Sequence, residues 1–202
     1  MSESKSQKLD KLRHKFINCT LCPLSSTREK FVFGEGNPES KILFVGEGPG
    51  KEEDIQGKPF VGRSGKLLTI AIETIFGRPR EDATYITNIV KCRPTVDFQM
   101  KKDRPPEPSE INQCRPLLTQ QVEIIQPTLV VSLGASSTKT LLDKKITITK
   151  IRGEILPFLD ISLMPVFHPS YVLRNGGQSG TMWNLFLADI EKAYRFAYGE
   201  TN

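Results

Sequence analysis

Residues Lys41 to Leu68 read KILFVGEGPGKEEDIQGKPFVGRSGKLL, and this stretch decides the fold. Its apolar run at 42–45 predicts a short buried strand that ends in the glycines of 46–50. A charged, glycine-punctuated loop follows, and from Leu67 onward apolar residues recur at helical spacing. A strand that ends in glycines is where an open α/β sheet binds its ligand. We therefore expect Glu47, among those glycines, and Phe60, in the loop, to form the heart of an active site.

Three further strands are predicted downstream, each with polar or small residues at its end. Residues 84–90 are β-branched and predict a second strand, with Asn88 near its end. Residues 127–133 predict a third strand, followed by the small-residue turn 134–137. Residues 161–167 predict the last strand, which runs directly into His168. Because the carboxyl ends of parallel strands meet at one edge, we expect Glu47, Asn88 and His168 to lie together.

The alternation of strands with helical patterns predicts an α/β fold. We expect a three-layer α/β/α sandwich with a central four-stranded, mostly parallel sheet. A chain of 202 residues with 38% hydrophobic and 25% charged residues fits one domain with a full core. Residues 1–202 are therefore predicted to form a single domain, with residues 1–40 as an N-terminal lead-in.

The overall charge is a weak indication of a polyanionic partner. The formal net charge is +5 and the pI is near 9.0, which a merely basic surface explains equally well. The sequence has no apolar run long enough to span a bilayer, and its N-terminus is polar and charged. We expect an intracellular protein with no membrane partner.

The chain has four cysteines, and an intracellular protein rarely uses them as disulfides. They are Cys19 and Cys22, which form one close pair, and Cys92 and Cys114, which are distant in sequence. One metal centre that uses all of them is the economical interpretation, either structural zinc or an iron–sulfur cluster. A zinc site with four thiolates usually shows two close pairs, so the spacing leans towards the cluster. Four unrelated buried thiols remain the alternative.

The glycine-rich turn does not match either common phosphate-binding loop. Gly46 to Gly50 is too short for a Walker loop, and the last glycine comes one residue early for a Rossmann loop. The polar groups instead suit a nucleobase. An Asn amide matches a Watson–Crick edge, an aromatic ring stacks on a base, a His stabilises an oxyanion and a carboxylate orients water. Glu47, Phe60, Asn88 and His168 together predict a pocket for an extruded base.

The sequence resembles the family 4 uracil-DNA glycosylases, the iron–sulfur type of the uracil-DNA glycosylase superfamily. The resemblance covers nearly the whole chain in order and rests on six motifs. These are Cys19-x2-Cys22, Gly46-Glu47-Gly48-Pro49-Gly50, Gly57-Lys58-Pro59-Phe60-Val61-Gly62, Thr87-Asn88 with Lys91-Cys92-Arg93-Pro94, Cys114-Arg115-Pro116, and His168-Pro169-Ser170.

The resemblance implies a uracil-DNA glycosylase fold and a [4Fe–4S] cluster held by Cys19, Cys22, Cys92 and Cys114. It also implies hydrolysis of the N-glycosidic bond of deoxyuridine in DNA, which releases uracil and leaves an abasic site in the first step of base excision repair. No lysine in the motifs stands as an amine nucleophile, so we expect a monofunctional enzyme.

Each pocket residue acquires a role from the resemblance. Gly46 brings the backbone close to the uracil, Phe60 stacks on it, and Asn88 reads its N3 and O4 edge. His168 donates towards O2, where negative charge develops. Glu47 positions the attacking water and, with its loop, crowds the C5 position so that thymine is excluded.

Further residues near these motifs are expected to contact DNA: Arg63, Ser64, Ser170, Leu173 and Arg174. The apolar run Tyr171-Val172-Leu173 offers side chains that wedge into a vacated base stack. We expect the partners to be uracil-containing DNA, single- or double-stranded, and other base-excision-repair proteins. The protein is expected to be a monomer located in the cytoplasm and at the nucleoid.

One segment departs from the family pattern. The part between Cys92 and Cys114 is longer than the family leads us to expect, with residues 97–102 as the insertion. In a related branch, an extended loop here carries a histidine that bonds covalently to the sugar. Residues 93–113 contain no histidine, which favours an enzyme that turns over.

Two other classes of function stay open on the sequence. One is a non-catalytic module that binds uracil-containing or damaged nucleic acid through the same pocket. The other is a cluster-stabilised scaffold without a base pocket.

Overall fold

The predicted parallel sheet is present in the computed structural model, which describes residues 3–96 and 102–199. The strands are β1 (Glu35–Gly36), β2 (Ile42–Gly46), β3 (Tyr85–Asn88), β4 (Leu129–Leu133), β5 (Leu156–Phe158) and β6 (Ile161–Val166). They lie in the order β1-β3-β2-β4-β6-β5. The four central strands are mutually parallel, whereas β1 and β5 are antiparallel to their neighbours.

Within the part of the chain that the structure describes, the sheet has six strands, and the prediction of four was too low. The central four were predicted because each is an apolar run. The edge strands have only two and three residues, which is too short to show a periodic pattern. In sequence, the first looks like a turn cluster at residues 34–38. Residues 146–156 also look in sequence like a hairpin or edge segment around Gly153, whereas in the structure a helical turn occupies 148–151 and the edge strand β5 begins only at Leu156.

Helices cover both faces of the sheet. They are α1 (Lys5–Phe16), α2 (Lys51–Gln56), α3 (Arg63–Phe76), α4 (Arg80–Ala83), α5 (Pro108–Ile125), α6 (Gly134–Leu142), α7 (Ile148–Ile151), α8 (Pro169–Arg174) and α9 (Thr181–Tyr198). The charged loop expected after residue 50 contains the short helix α2. No helix in the described ranges is long and apolar enough to cross a membrane.

Strand β2 shows how the sheet separates two apolar cores. Ile42 and Phe44 pack into the core beneath α3 and α9, while Leu43 and Val45 pack into the core beneath α1 and α5. All four are completely buried, because successive side chains of a strand point to opposite faces and both faces are covered. This two-sided burial fixes the register of β2 and β3, and with it the pairing of Gly46 with Asn88 at the carboxyl edge.

Candidate active site and metal centre

A cavity of about 210 Å³ opens at the carboxyl edge of the sheet. Four residues predicted from separate parts of the sequence line it together: Glu47, Phe60, Asn88 and His168. The predicted DNA contact Ser64 lines it as well. The rest of the lining comes from Gly48, Pro49, Gly50, Glu53, Pro94, Asp103, Arg104 and Pro106. The topology thus brings the predicted polar groups to one site.

Asn88 stands at the end of β3 with its side chain 1% exposed. Its Oδ1 is buried and has no hydrogen-bond partner among the described residues. Buried acceptors in proteins are nearly always paired, so an unpaired one beside a cavity indicates a ligand that donates a hydrogen bond there.

Gly46 allows Asn88 and Phe60 to approach each other. A Cβ atom at residue 46 would collide with Asn88 Oδ1 and would lie 2.6 Å from the Phe60 ring. The ring centroid of Phe60 is 6.2 Å from that of His168. Gly46 therefore contributes space and no side-chain chemistry, in line with its expected role of close backbone approach.

His168 follows β6 and caps the N-terminus of α8. The Ser170 N–H donates to His168 Nδ1 at 3.1 Å, and the Ser170 hydroxyl oxygen lies 2.7 Å from the same nitrogen. Because a backbone N–H can only donate, Nδ1 is unprotonated and Nε2 carries the proton. Burial and, to a lesser extent, the nearby charge of Arg174 together lower the pKa of His168 to about 4. The imidazole is a neutral donor at neutral pH.

Glu47 is half-buried at the first turn after β2. Burial raises the pKa of its carboxyl group, while a hydrogen bond from Ser136 acts in the opposite direction. Ser136 lies in the first turn of α6, which directly follows β4, so residues after two different strands hold this carboxylate. The small-residue turn predicted at 134–137 is therefore helical.

The other predicted DNA contacts differ in exposure, and none of them is among the described residues that line the cavity. Arg63 and Arg174 are exposed, whereas the Ser170 hydroxyl is already hydrogen-bonded to His168. Leu173 is half-buried and packs against the core. Val172 is completely buried, so it cannot enter a base stack, and the three-residue wedge expected from the sequence is wrong at this position.

All four cysteines line a second, smaller cavity. The cysteines are free thiols, and most other side chains around the cavity are apolar. Donors point at the sulfurs. The Arg28 guanidinium lies 3.2 Å from Cys92 Sγ, and the backbone N–H groups of Leu24 and Lys91 donate to Cys22 and Cys114. Such donors stabilise bound thiolates.

No group of three or more Cys, His, Asp or Glu side chains in residues 3–96 and 102–199 is placed to hold a single metal ion. In a cubane cluster each thiolate binds a different iron atom, so the ligands stand apart at its corners. The four thiols around one cavity, with hydrogen-bond donors to three of the sulfurs, fit a cubane iron–sulfur cluster.

Lys91 is completely buried and lines neither cavity among the described residues, but it contacts Asn88 of the first and lies near the Cys92 and Cys114 thiols of the second. Its ammonium donates to the Asn88 carbonyl and, at 2.7 Å, to the Thr87 hydroxyl. Burial lowers the pKa of Lys91 to about 7, while the Cys114 and Cys92 thiols act in the opposite direction. Lys91 belongs to the motif Lys91-Cys92-Arg93-Pro94, but no pattern in the sequence indicates that its side chain points inward.

Described residues on the segment between Cys92 and Cys114 line part of the first cavity. Thr95 and Asp103 form an antiparallel bridge, Asp103 pairs with Arg93 at 2.7 Å, and Arg104 pairs with Glu110 at 2.6 Å. Residues 97–101 of the expected insertion lie outside the described residues; Lys102 lies within them. Asp103, Arg104 and Pro106 were not anticipated as lining residues, because contacts across a long loop leave no periodic pattern.

Comparison with known proteins points to one family. The family model described as the uracil DNA glycosylase superfamily matches residues 33–191. A type-4 uracil-DNA glycosylase from Thermotoga maritima is 47% identical over 180 residues, which cover 88% of each chain. Proteins of the same name from Sulfurisphaera tokodaii and Saccharolobus solfataricus are each 42% identical over 175 residues. Each alignment covers 83% of this chain, together with 76% of the Sulfurisphaera protein and 78% of the Saccharolobus protein.

Proposed function

The chain belongs to the uracil DNA glycosylase superfamily, and from that premise we propose that it is a type-4 uracil-DNA glycosylase. It hydrolyses the N-glycosidic bond of deoxyuridine in DNA, releases uracil and leaves an abasic site for base excision repair. The observation that best supports this assignment is the unpaired Oδ1 of Asn88 beside a cavity that Phe60 and His168 also line.

Asn88 supplies the selectivity in this proposal. Its Oδ1 accepts the hydrogen of uracil N3, and its amide nitrogen donates to O4. Cytosine presents the opposite pattern, with an acceptor at N3 and a donor at the exocyclic amine. A buried site built for one pattern discriminates strongly against the other, because the mismatched polar groups stay unpaired. Glu47 and the loop 48–50, which line the same cavity, crowd the C5 position against thymine.

His168 supplies the stabilisation of charge. As the glycosidic bond breaks, negative charge develops on the uracil, and the neutral Nε2–H donates towards O2. The Ser170 contacts fix the ring and the tautomer before the reaction begins. The Glu47 carboxylate orients the water that attacks the sugar.

We propose that Cys19, Cys22, Cys92 and Cys114 hold a [4Fe–4S] cluster. When bound, the cluster supplies a structural cross-link between the N-terminal lead-in, the segment after β3 and helix α5. The exposed Arg63 and Arg174 and the half-buried Leu173 are proposed to contact the DNA around the flipped nucleotide, with Ser64 at the pocket. We also propose that residues 1–202 act as one domain, as a monomer, in the cytoplasm and at the nucleoid with other repair proteins.

The pH dependence of the reaction tests the role of Glu47. Burial raises the pKa of this carboxyl above its ordinary value of 4.5, and the ionised form is the active one. We expect the single-turnover rate to fall with decreasing pH through this raised pKa, before His168 titrates near 4. In Glu47→Gln we expect a rate roughly 10²-fold lower at neutral pH, and we expect the fall of the rate towards low pH, the acid limb of the profile, to be absent. An unchanged acid limb in the variant would assign it to another group.

The activity itself is tested with oligonucleotides that carry one uracil, in single- and double-stranded form. Matched oligonucleotides carry thymine or cytosine at the same position. We expect free uracil and an alkali-labile site from the uracil substrates alone, with no strand break before alkali. Tight binding without release of uracil would show a binding module instead.

A further inference from the structure

Phe60 has an unusual backbone conformation for an aromatic residue. Its φ is 53°, in the left-handed region that residues with a Cβ atom rarely adopt. The side chain is 7% exposed and contacts the core, yet the residue also lines the cavity. A conformation of this kind persists only when surrounding contacts determine it.

Two contacts fix the Phe60 main chain. The Arg80 guanidinium donates through Nη1 to the Phe60 carbonyl at 2.9 Å. The backbone of α3 presses against the same peptide at Gly65, where a Cβ atom would collide with the Phe60 carbonyl group. The carbonyl of Phe60 is therefore held between a charged donor and a neighbouring helix.

The next peptides of the loop are fixed by a carboxylate. Glu53 Oε1 accepts hydrogen bonds from the N–H groups of Val61 and Gly62, at 2.9 and 2.8 Å. Glu53 lies on α2, whereas Arg80 lies on α4, so two helices hold the loop from different sides.

Arg80 is itself rigidly placed. Its side chain is 10% exposed and forms an ion pair with Glu35 on β1 at 2.6 Å. Nη1 also lies 3.3 Å from the Thr69 hydroxyl on α3. Arginine suits such a place because its planar group donates in several fixed directions at once. Arg80 is not among the described residues that line the cavity, so it makes no direct contact with a ligand bound there.

We propose that Arg80 is a positioning residue that sets the Phe60 ring for stacking before the base arrives; this inference rests on the proposed function. A ring that is already ordered loses less conformational entropy when the base stacks on it, so uracil binds more tightly. The rival account is that the Arg80–Glu35 pair only stabilises the fold by joining α4 to β1.

Arg80→Met tests the proposal, since it keeps a long apolar stem and removes the donor. Glu35 is left partly exposed and can be hydrated. We expect KM for uracil-containing DNA and the inhibition constant of free uracil to rise roughly tenfold, with a smaller change in kcat. Arg80→Lys keeps the charge beside Glu35 but loses the planar fork, so it should show the same shift in a more stable protein.

Arg152→Met is the matched control. Arg152 pairs with Asp189 at 2.7 Å and donates to the Leu185 carbonyl at 2.7 Å, so it also links a carboxylate to a main-chain oxygen. We expect this variant to lower the thermal midpoint and to leave the inhibition constant of uracil unchanged. If the Arg80 variants likewise lower only the midpoint, Arg80 is structural and the proposal is overturned.

A double-mutant cycle with Phe60→Ala tests whether Arg80 affects uracil binding through the Phe60 ring. If Arg80 acts through the ring, Arg80→Met adds nothing to the uracil inhibition constant once Phe60 is alanine. An undiminished effect in that background would overturn the positioning role. If Phe60→Ala alone leaves uracil binding unchanged, the stacking role in the proposed function fails instead, so the two failures are distinguishable.

Discussion

Asn88→Ala is expected to lower kcat/KM for uracil excision by roughly 10²–10³-fold. The variant removes both hydrogen bonds that the proposed site offers to the N3 and O4 edge of uracil. The polar edge of the base would then be buried against a methyl group, which costs more than the loss of an exposed contact. Single-turnover rates of uracil release measure the effect, with circular dichroism to check the fold.

Asn37→Ala is the matched control for this experiment. Asn37 donates to the Asp82 carbonyl at 3.0 Å and accepts from the Glu39 N–H at 2.9 Å, in an exposed turn beside the same sheet. Its loss should leave the excision rate unchanged. A rate for Asn88→Ala close to that of wild type would contradict the assignment of Asn88 as the reader of the base.

Cys92→Ala is expected to have the largest effect on stability. Cys92 is 5% exposed and lies next to Lys91, whose side chain holds the Asn88 carbonyl. The wild-type protein should be brown and contain about four iron atoms per chain. The variant should lose its iron, and its thermal midpoint should fall by roughly 10 °C, because three segments lose their cross-link.

The control variant is Val90→Ala, which truncates a side chain that is 1% exposed and leaves the thiols in place. It should lose some stability and keep its iron. Iron analysis, visible absorbance and thermal unfolding are measured on all three proteins. A colourless wild-type protein with stoichiometric zinc, or a Cys92→Ala variant with full iron content, would overturn the cluster.

The predictable parts of the fold are those with strong local patterns. The strands β2, β3, β4 and β6 are short apolar or β-branched segments that are mostly buried, and a polar residue or a glycine lies at the end of each of them or within two residues after it. The rule that parallel strands present their carboxyl ends at one edge was enough to bring Glu47, Asn88 and His168 together.

The supporting contacts could not be predicted in the same way. Arg80 and Glu53 each bind the main chain of the Phe60 loop, and a hydrogen bond to a peptide group requires no particular residue type at the receiving position. The buried direction of Lys91 depends on its hydrogen bonds back to Thr87 and Asn88 at the end of β3. Arg104 lines the first cavity in a position that depends on its ion pair with Glu110, six residues further along the chain.

The most direct test of the site is a crystal structure of the protein with uracil bound. We expect the base in the cavity at the carboxyl edge of the sheet, stacked on the Phe60 ring. Its N3 should lie within hydrogen-bond distance of Asn88 Oδ1, and its O2 should face His168 Nε2. Uracil bound elsewhere, or an Asn88 Oδ1 still without a partner in the complex, would contradict this expectation.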